Sequence, residues 1–284
     1  MSNWDQWNNK NDDQSYGQQG YGHPGHAQQG YDQQGQQGYG DYAGAQAMSE
    51  GYAHSMFAAD AAKSDRMAFI QKTYLHLGGA ALAFVILAAL SVNVIVPMIG
   101  INNVIGFMFG PVGWLVVFGL FWVASAVAQS WATSSNSQGM QYAGLGLYVL
   151  AEAIIFTPLL AWAAYKYPGA IETAGVVTLV IFGTLTAFVF ITKADFSFLG
   201  PMLAIGSMAV FAVIITTLFI GDGGFFLWIA GGIVLLLCGY ILYQTSGVLH
   251  TYRTDQHVAA SLALFSSLAT LFWYILQIVM SMRD

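Results

Sequence analysis

Glu152 is the residue in this sequence most able to do chemistry where chemistry is costly. It sits at the centre of GLYVLAEAIIFTPLL, an apolar run long enough to cross a bilayer. A charged side chain at that depth costs on the order of 3 kcal/mol. A carboxyl kept there should face the interior of a helix bundle. Its role is then either a hydrogen-bonded packing group or a proton- or cation-responsive group in a polar cavity. Tyr148, four residues earlier, shares its helical face. Pro158 lies downstream and should loosen the backbone ladder.

A second polar set lies in the last apolar run. Ser267, Thr270, Tyr274 and Gln277 recur at i, i+3, i+7 and i+10, which is one face of a helix. A polar stripe flanked by apolar residues marks that helix as interior. Gln244, at the expected cytoplasmic end of the sixth run, is placed to meet it. These groups hydrogen-bond rather than catalyse. The sequence offers no nucleophile beside a base, no metal-ligand cluster and no phosphate loop, so the expectation is a protein without enzymatic activity, metal or cofactor. His76, near the start of the first run, reads as an interfacial anchor, and Cys238 as a small packing residue. His23, His26 and His54 are too scattered to bind a metal.

The elements that must position these residues are transmembrane helices. Of 284 residues, 56% are apolar and only 8% charged, against about 25% charged in ordinary soluble domains. From Thr73 to Ala151 there is no Lys, Arg, Asp or Glu at all. Apolar runs fall near 73–98, 111–130, 141–164, 173–192, 197–220, 225–244 and 258–281. Each meets the requirement of about 20 residues for a hydrocarbon core some 30 Å thick. Turn chemistry separates them: Gly100 to Pro111, Asn136 to Gly139, Tyr167-Pro168-Gly169, Asp195 to Ser197 and Gly221 to Gly224. Continuous runs without period-two alternation exclude an outer-membrane barrel. The fold class is all-α, a polytopic integral membrane protein built as a seven-helix bundle over residues 73–281.

Residues 1–55 repeat Gln-Gln-Gly with interspersed tyrosines and have almost no aliphatic side chains. Nothing there offsets the entropy of ordering, so a disordered cytoplasmic tail is expected. Residues 56–72 read as an amphipathic lead-in carrying Lys63, Arg66 and Lys72 to an anionic membrane surface. The first apolar run comes some seventy residues in and reads as a span, not a cleavable leader. No basic patch suggests nucleic acid. With the N-terminus inside, Lys63, Arg66, Lys72, Lys193 and Arg253 are cytoplasmic, against Lys166 and Arg283 outside. That bias favours a cytoplasmic N-terminus.

Three stretches carry a resemblance: ITKADFSFLG (Ile191 to Gly200), GYILYQT (Gly239 to Thr245) and ALFSSLATLFWYILQIV near the C-terminus. The segment from Gln71 to Ala83 and the proline-bearing third run fit with them. Over about residues 65–282 the chain resembles the transmembrane Bax inhibitor motif family, with Lys193, Asp195, Phe196 and Ser197 as the most specific signature. The resemblance implies seven helices, six of them around the last. It also implies an association with pH-sensitive calcium leak, with suppression of cell death in eukaryotes, and with modulation of a membrane AAA protease in bacteria. A bacterial inner membrane is the expected location.

The leak in that family is linked to two aspartates, in the sixth and seventh spans, and an arginine. Here the first aspartate falls on Gln244, the second on Ser267, and the arginine region within Ser134 to Gln138, which is uncharged. All three partners are neutral, a self-consistent replacement, because losing only one would strand a buried charge. The leading expectation is therefore a calcium or proton leak lacking the family's acid pair, with Glu152, Gln244 and Ser267 as candidate sensing residues. The alternative is a non-transporting regulator or scaffold that binds a membrane protease or another membrane complex.

Overall fold

The computed structural model describes residues 57–108, 110–134, 137–220 and 224–283. The readings of the 1–55 tail and of Gly221 to Gly223 lie outside these residues. After a turn at Phe57 to Asp60, helix α1 runs Lys63–Leu90 and continues through a wider π turn, Ser91–Ile95, to Val96–Ile99. The wide turn immediately precedes Pro97, whose missing N–H and bulky ring disturb a regular ladder. Gly100, at φ 91°, ends the helix in a conformation glycine adopts without strain. A short helix α2, Ile101–Met108, fills the break.

The remaining helices are α3 (Pro111–Ala132), α4 (Gln138–Lys166), α5 (Ala170–Thr192), α6 (Leu199–Ile220), α7 (Phe226–His250) and α8 (His257–Ser281). Pro111 opens α3 at a position where an N–H has no helical partner anyway. Ser137 caps α4, its Oγ accepting the Met140 N–H at 3.2 Å. Seven helices among the described residues are long and apolar enough to span a membrane. Of the lead-in anticipated over 56–72, the part from Lys63 onward is continuous with the first of them, since its Met, Ala, Gln and Lys residues propagate helix readily. α7 runs on past Gln244 to His250, so Gln244 lies inside the helix and not at its end.

The last helix is central. α8 packs on α1, α4, α5 and α7 and also touches α3, while α6 docks on α7 and α3 pairs with α4. At the α3–α4 contact the backbones nearly touch: a Cβ on Gly144 would sit 2.6 Å from the Ala128 carbonyl oxygen. An aromatic cluster ties α1, α4 and α8 together. Phe156 meets Phe84 edge-on at 5.0 Å and Trp273 at 4.8 Å, and lies parallel to Phe272.

The outward faces carry Leu82, Leu120, Trp122, Ile205, Met208 and Leu235, all strongly exposed. In water such a surface would aggregate. Around seven helices of spanning length it is the lipid-facing surface of a multi-pass integral membrane protein.

Candidate functional site

The polar residues converge on one level of the bundle, where α4, α7 and α8 meet. On α4, Glu152 is 4% exposed and Tyr148, one turn earlier, also 4%. The two side chains are within hydrogen-bonding reach of each other. Tyr148 Oη pairs with Ser266 Oγ of α8 at 2.8 Å. On the next residue, Ser267 Oγ donates to Gln244 Oε1 of α7, also at 2.8 Å. One carboxyl, one phenol, two serines and an amide thus form a layer across three helices, with the central helix supplying the two serines that join the other two. Gln244 and Ser267, on different helices, are direct partners.

The polar stripe on α8 has unequal members. Thr270 turns back on its own helix, donating to the Ser266 carbonyl at 2.8 Å. Tyr274 and Gln277 continue the same face, half-buried, toward the C-terminal end. Ser266 was not among the sequence candidates, although its i, i+4 spacing to Thr270 was the available signal. Of the Ser134 to Gln138 stretch, Ser135 and Asn136 lie outside the described residues; Ser134 follows the end of α3, where Gln141 Nε2 donates to its carbonyl, and Ser137 and Gln138 open α4.

The signature Lys193 to Ser197 is structural. Lys193 ends α5 with a left-handed backbone, φ 51°. Asp195 Oδ1 accepts the Ser197 N–H at 2.8 Å, closing an Asx turn before α6 begins at Leu199. Ser246 of α7 holds this loop: its Oγ accepts the Phe196 N–H at 2.9 Å and lies 3.4 Å from Asp195 Oδ1. The Ser197 amide, with a smaller contribution from His250, holds the Asp195 carboxyl below the usual carboxylate range.

Two further groupings were not legible in the sequence. His76, Tyr142 and His257 bring α1, α4 and α8 together near the N-terminal end of α8, with the imidazoles 5.1 Å apart. Tyr142 Oη lies 3.4 Å from His257 Nε2. Two residues before His76 on α1, the Tyr74 hydroxyl faces Thr186 and Thr245 without a well-aligned hydrogen bond. Among the described residues, no three His, Cys, Asp or Glu gather as a metal site.

A seven-span bundle around a polar central helix defines the class, and comparison with known proteins gives the family. The family described as inhibitor of apoptosis-promoting Bax1 matches residues 66–284, and the chain belongs to it. It is 28% identical to Bax inhibitor 1 of Schizosaccharomyces pombe over 222 residues, covering 78% of this chain and 79% of that one. An uncharacterized protein of Neisseria meningitidis serogroup A is 27% identical over 216 residues, 75% of this chain and 91% of the relative. The modulator of FtsH protease YccA of Escherichia coli is 31% identical over 102 residues, 36% of this chain and 46% of the relative.

Proposed function

We propose that this protein is a pH-responsive leak for calcium or protons, with Glu152 as its titrating group and the Gln244–Ser267 pair as the neutral closure beside it. The observation that carries this reading is the burial of Glu152 at 4% exposure, linked through Tyr148 to the central helix. An ionisable residue inside a membrane bundle is costly to insert and marks an ion or proton pathway by default. The layer links α4, α8 and α7, so a pathway running between these three helices crosses it. A change of charge on Glu152 alters the Tyr148 contact, and Tyr148 is bonded to the residue adjoining Ser267. The layer therefore supplies a route from protonation to the pair that closes the interior. No enzymatic step, metal or cofactor is assigned to it.

The test is calcium flux into liposomes containing the purified protein, measured across a pH series. Flux above empty liposomes with a pH dependence that flattens in Glu152→Gln is the expected result. No flux, or an unchanged profile in the variant, overturns the proposal.

A second reading has its own support in the similarity to YccA, whose name describes a modulator of a membrane protease. In that reading the chain is a non-conducting regulator that binds a membrane AAA protease, through the bundle or through residues 1–55. Co-purification of such a protease with the full chain, but not with the chain lacking residues 1–55, is the result that assigns the tail this role. A cytoplasmic N-terminus and a bacterial inner membrane complete the proposal.

A further inference from the structure

Between α1 and α5 the bundle wall is incomplete. These two helices meet only narrowly, where Tyr74 packs edge-on against Phe190, and are otherwise joined through α8, which lies behind them. The result is a cleft of about 260 Å³, with Ala81 and Val85 on one wall, Gly175 and Leu179 on the other, and Leu268 and Phe272 at its floor. Val85 and Leu179 are 59% and 61% exposed, so they form lips that open sideways, whereas Leu268 is 8% exposed. The one polar side chain in the wall, Thr178, donates its hydroxyl to the Ala174 carbonyl and presents only its methyl group.

We propose that this cleft is a binding site for one acyl chain of a membrane glycerophospholipid whose phosphate is held at Arg283. The cleft opens toward the hydrocarbon that surrounds the seven spans, where the molecule available to fill an apolar gap is a lipid chain. Left empty, it would forfeit dispersion contacts along all three helices. Gly175 keeps the space open, because nothing lies within 4 Å of where its Cβ would stand.

Charge at one end supplies the headgroup contact. Ile171, also in the wall, belongs to the first turn of α5, beside the α4–α5 turn. Arg283 lies across that turn, donating to the Pro168 carbonyl at 2.6 Å and to Thr173 Oγ1 at 3.2 Å. Its guanidinium is exposed and has further N–H groups to offer a phosphate oxygen. Glu172, exposed in the first turn of α5, suits the cationic end of a zwitterionic headgroup.

The experiment uses the full-length protein in nanodiscs containing phosphatidylcholine with a diazirine in its acyl chain, followed by photolysis and peptide mass spectrometry. Adducts on the cleft residues Ala81, Val85 and Leu179 should exceed, severalfold, those on Ile205 and Leu235, which face the bilayer from α6 and α7. Gly175→Phe, which fills the cleft, should abolish that excess, and Arg283→Gln should reduce it. Labelling no denser in the cleft than at Ile205 and Leu235 overturns the proposal, as does an excess that persists in a folded Gly175→Phe protein. The wild-type comparison decides the matter even if that variant fails to fold.

Discussion

Removing the hydroxyl of Ser267 tests whether the neutral pair is a working contact of the bundle. Its Oγ lies 2.8 Å from Gln244 Oε1, and Ser267 is 5% exposed. Ser267→Ala changes little volume, so the effect is that of an amide oxygen left without this donor. In a soluble core an orphaned acceptor costs about 1–3 kcal/mol. In a membrane bundle the unfolded state also finds partners, and measured couplings average about 0.6 kcal/mol with a maximum near 1.7. The loss expected for Ser267→Ala is therefore about 1 kcal/mol. Gln244→Leu should cost a similar amount, because it strands the serine. The double variant leaves neither group orphaned and should cost less than the two singles together. Unfolding titrations in mixed micelles, run as a double-mutant cycle, measure the coupling. Singles that add within about 0.3–0.5 kcal/mol, the behaviour of independent sites, would refute the pairing.

Gly144→Ala should destabilise the bundle by about 1–3 kcal/mol through overpacking, since its Cβ would press on the Ala128 carbonyl and the Ala132 amide. Gly146→Ala, with nothing within 4 Å, should cost nothing, and thermal unfolding compares the two. For Asp195 the folded carboxyl is held low, so the stability it adds is present above the unfolded value near 4 and lost as pH falls through the lower folded value. The protection factor of the Ser197 amide, its exchange rate relative to the intrinsic rate at each pH, should hold through the neutral range and fall only in strong acid, a change that Asp195→Asn removes. Impermeant thiol reagents applied to right-side-out vesicles should label Lys166→Cys and spare Lys193→Cys, and the reverse pattern would overturn the cytoplasmic placement of the N-terminus.

The seven spans were legible because each is an unbroken apolar run, and hydrocarbon demands that every backbone group be satisfied within the helix. Helix ends were less so. Charged Lys63 and Arg66 hid the true start of α1, and Thr245 and Ser246 hid the last turns of α7. Glu152 and Tyr148 stood out because a carboxyl is conspicuous among Leu, Ile and Ala. The polar stripe on the last run and the expected position of Gln244 at the end of the sixth already placed Gln244 to meet that stripe, and the resemblance added Ser267 as its counterpart. His76, Tyr142 and His257 could not be joined in advance: they come from three helices far apart in the chain, and only packing around α8 brings them together. The lateral cleft was equally hidden, because it forms where α1 and α5 part, away from the Tyr74–Phe190 contact.

The most direct measurement is calcium flux through the reconstituted wild-type protein and its Glu152→Gln variant, recorded side by side across the same pH range. A wild-type flux that changes with pH, together with a variant flux that does not, is what the proposal requires. Identical profiles, or no flux above empty liposomes in either, would contradict it and leave the buried layer as packing in a membrane regulator.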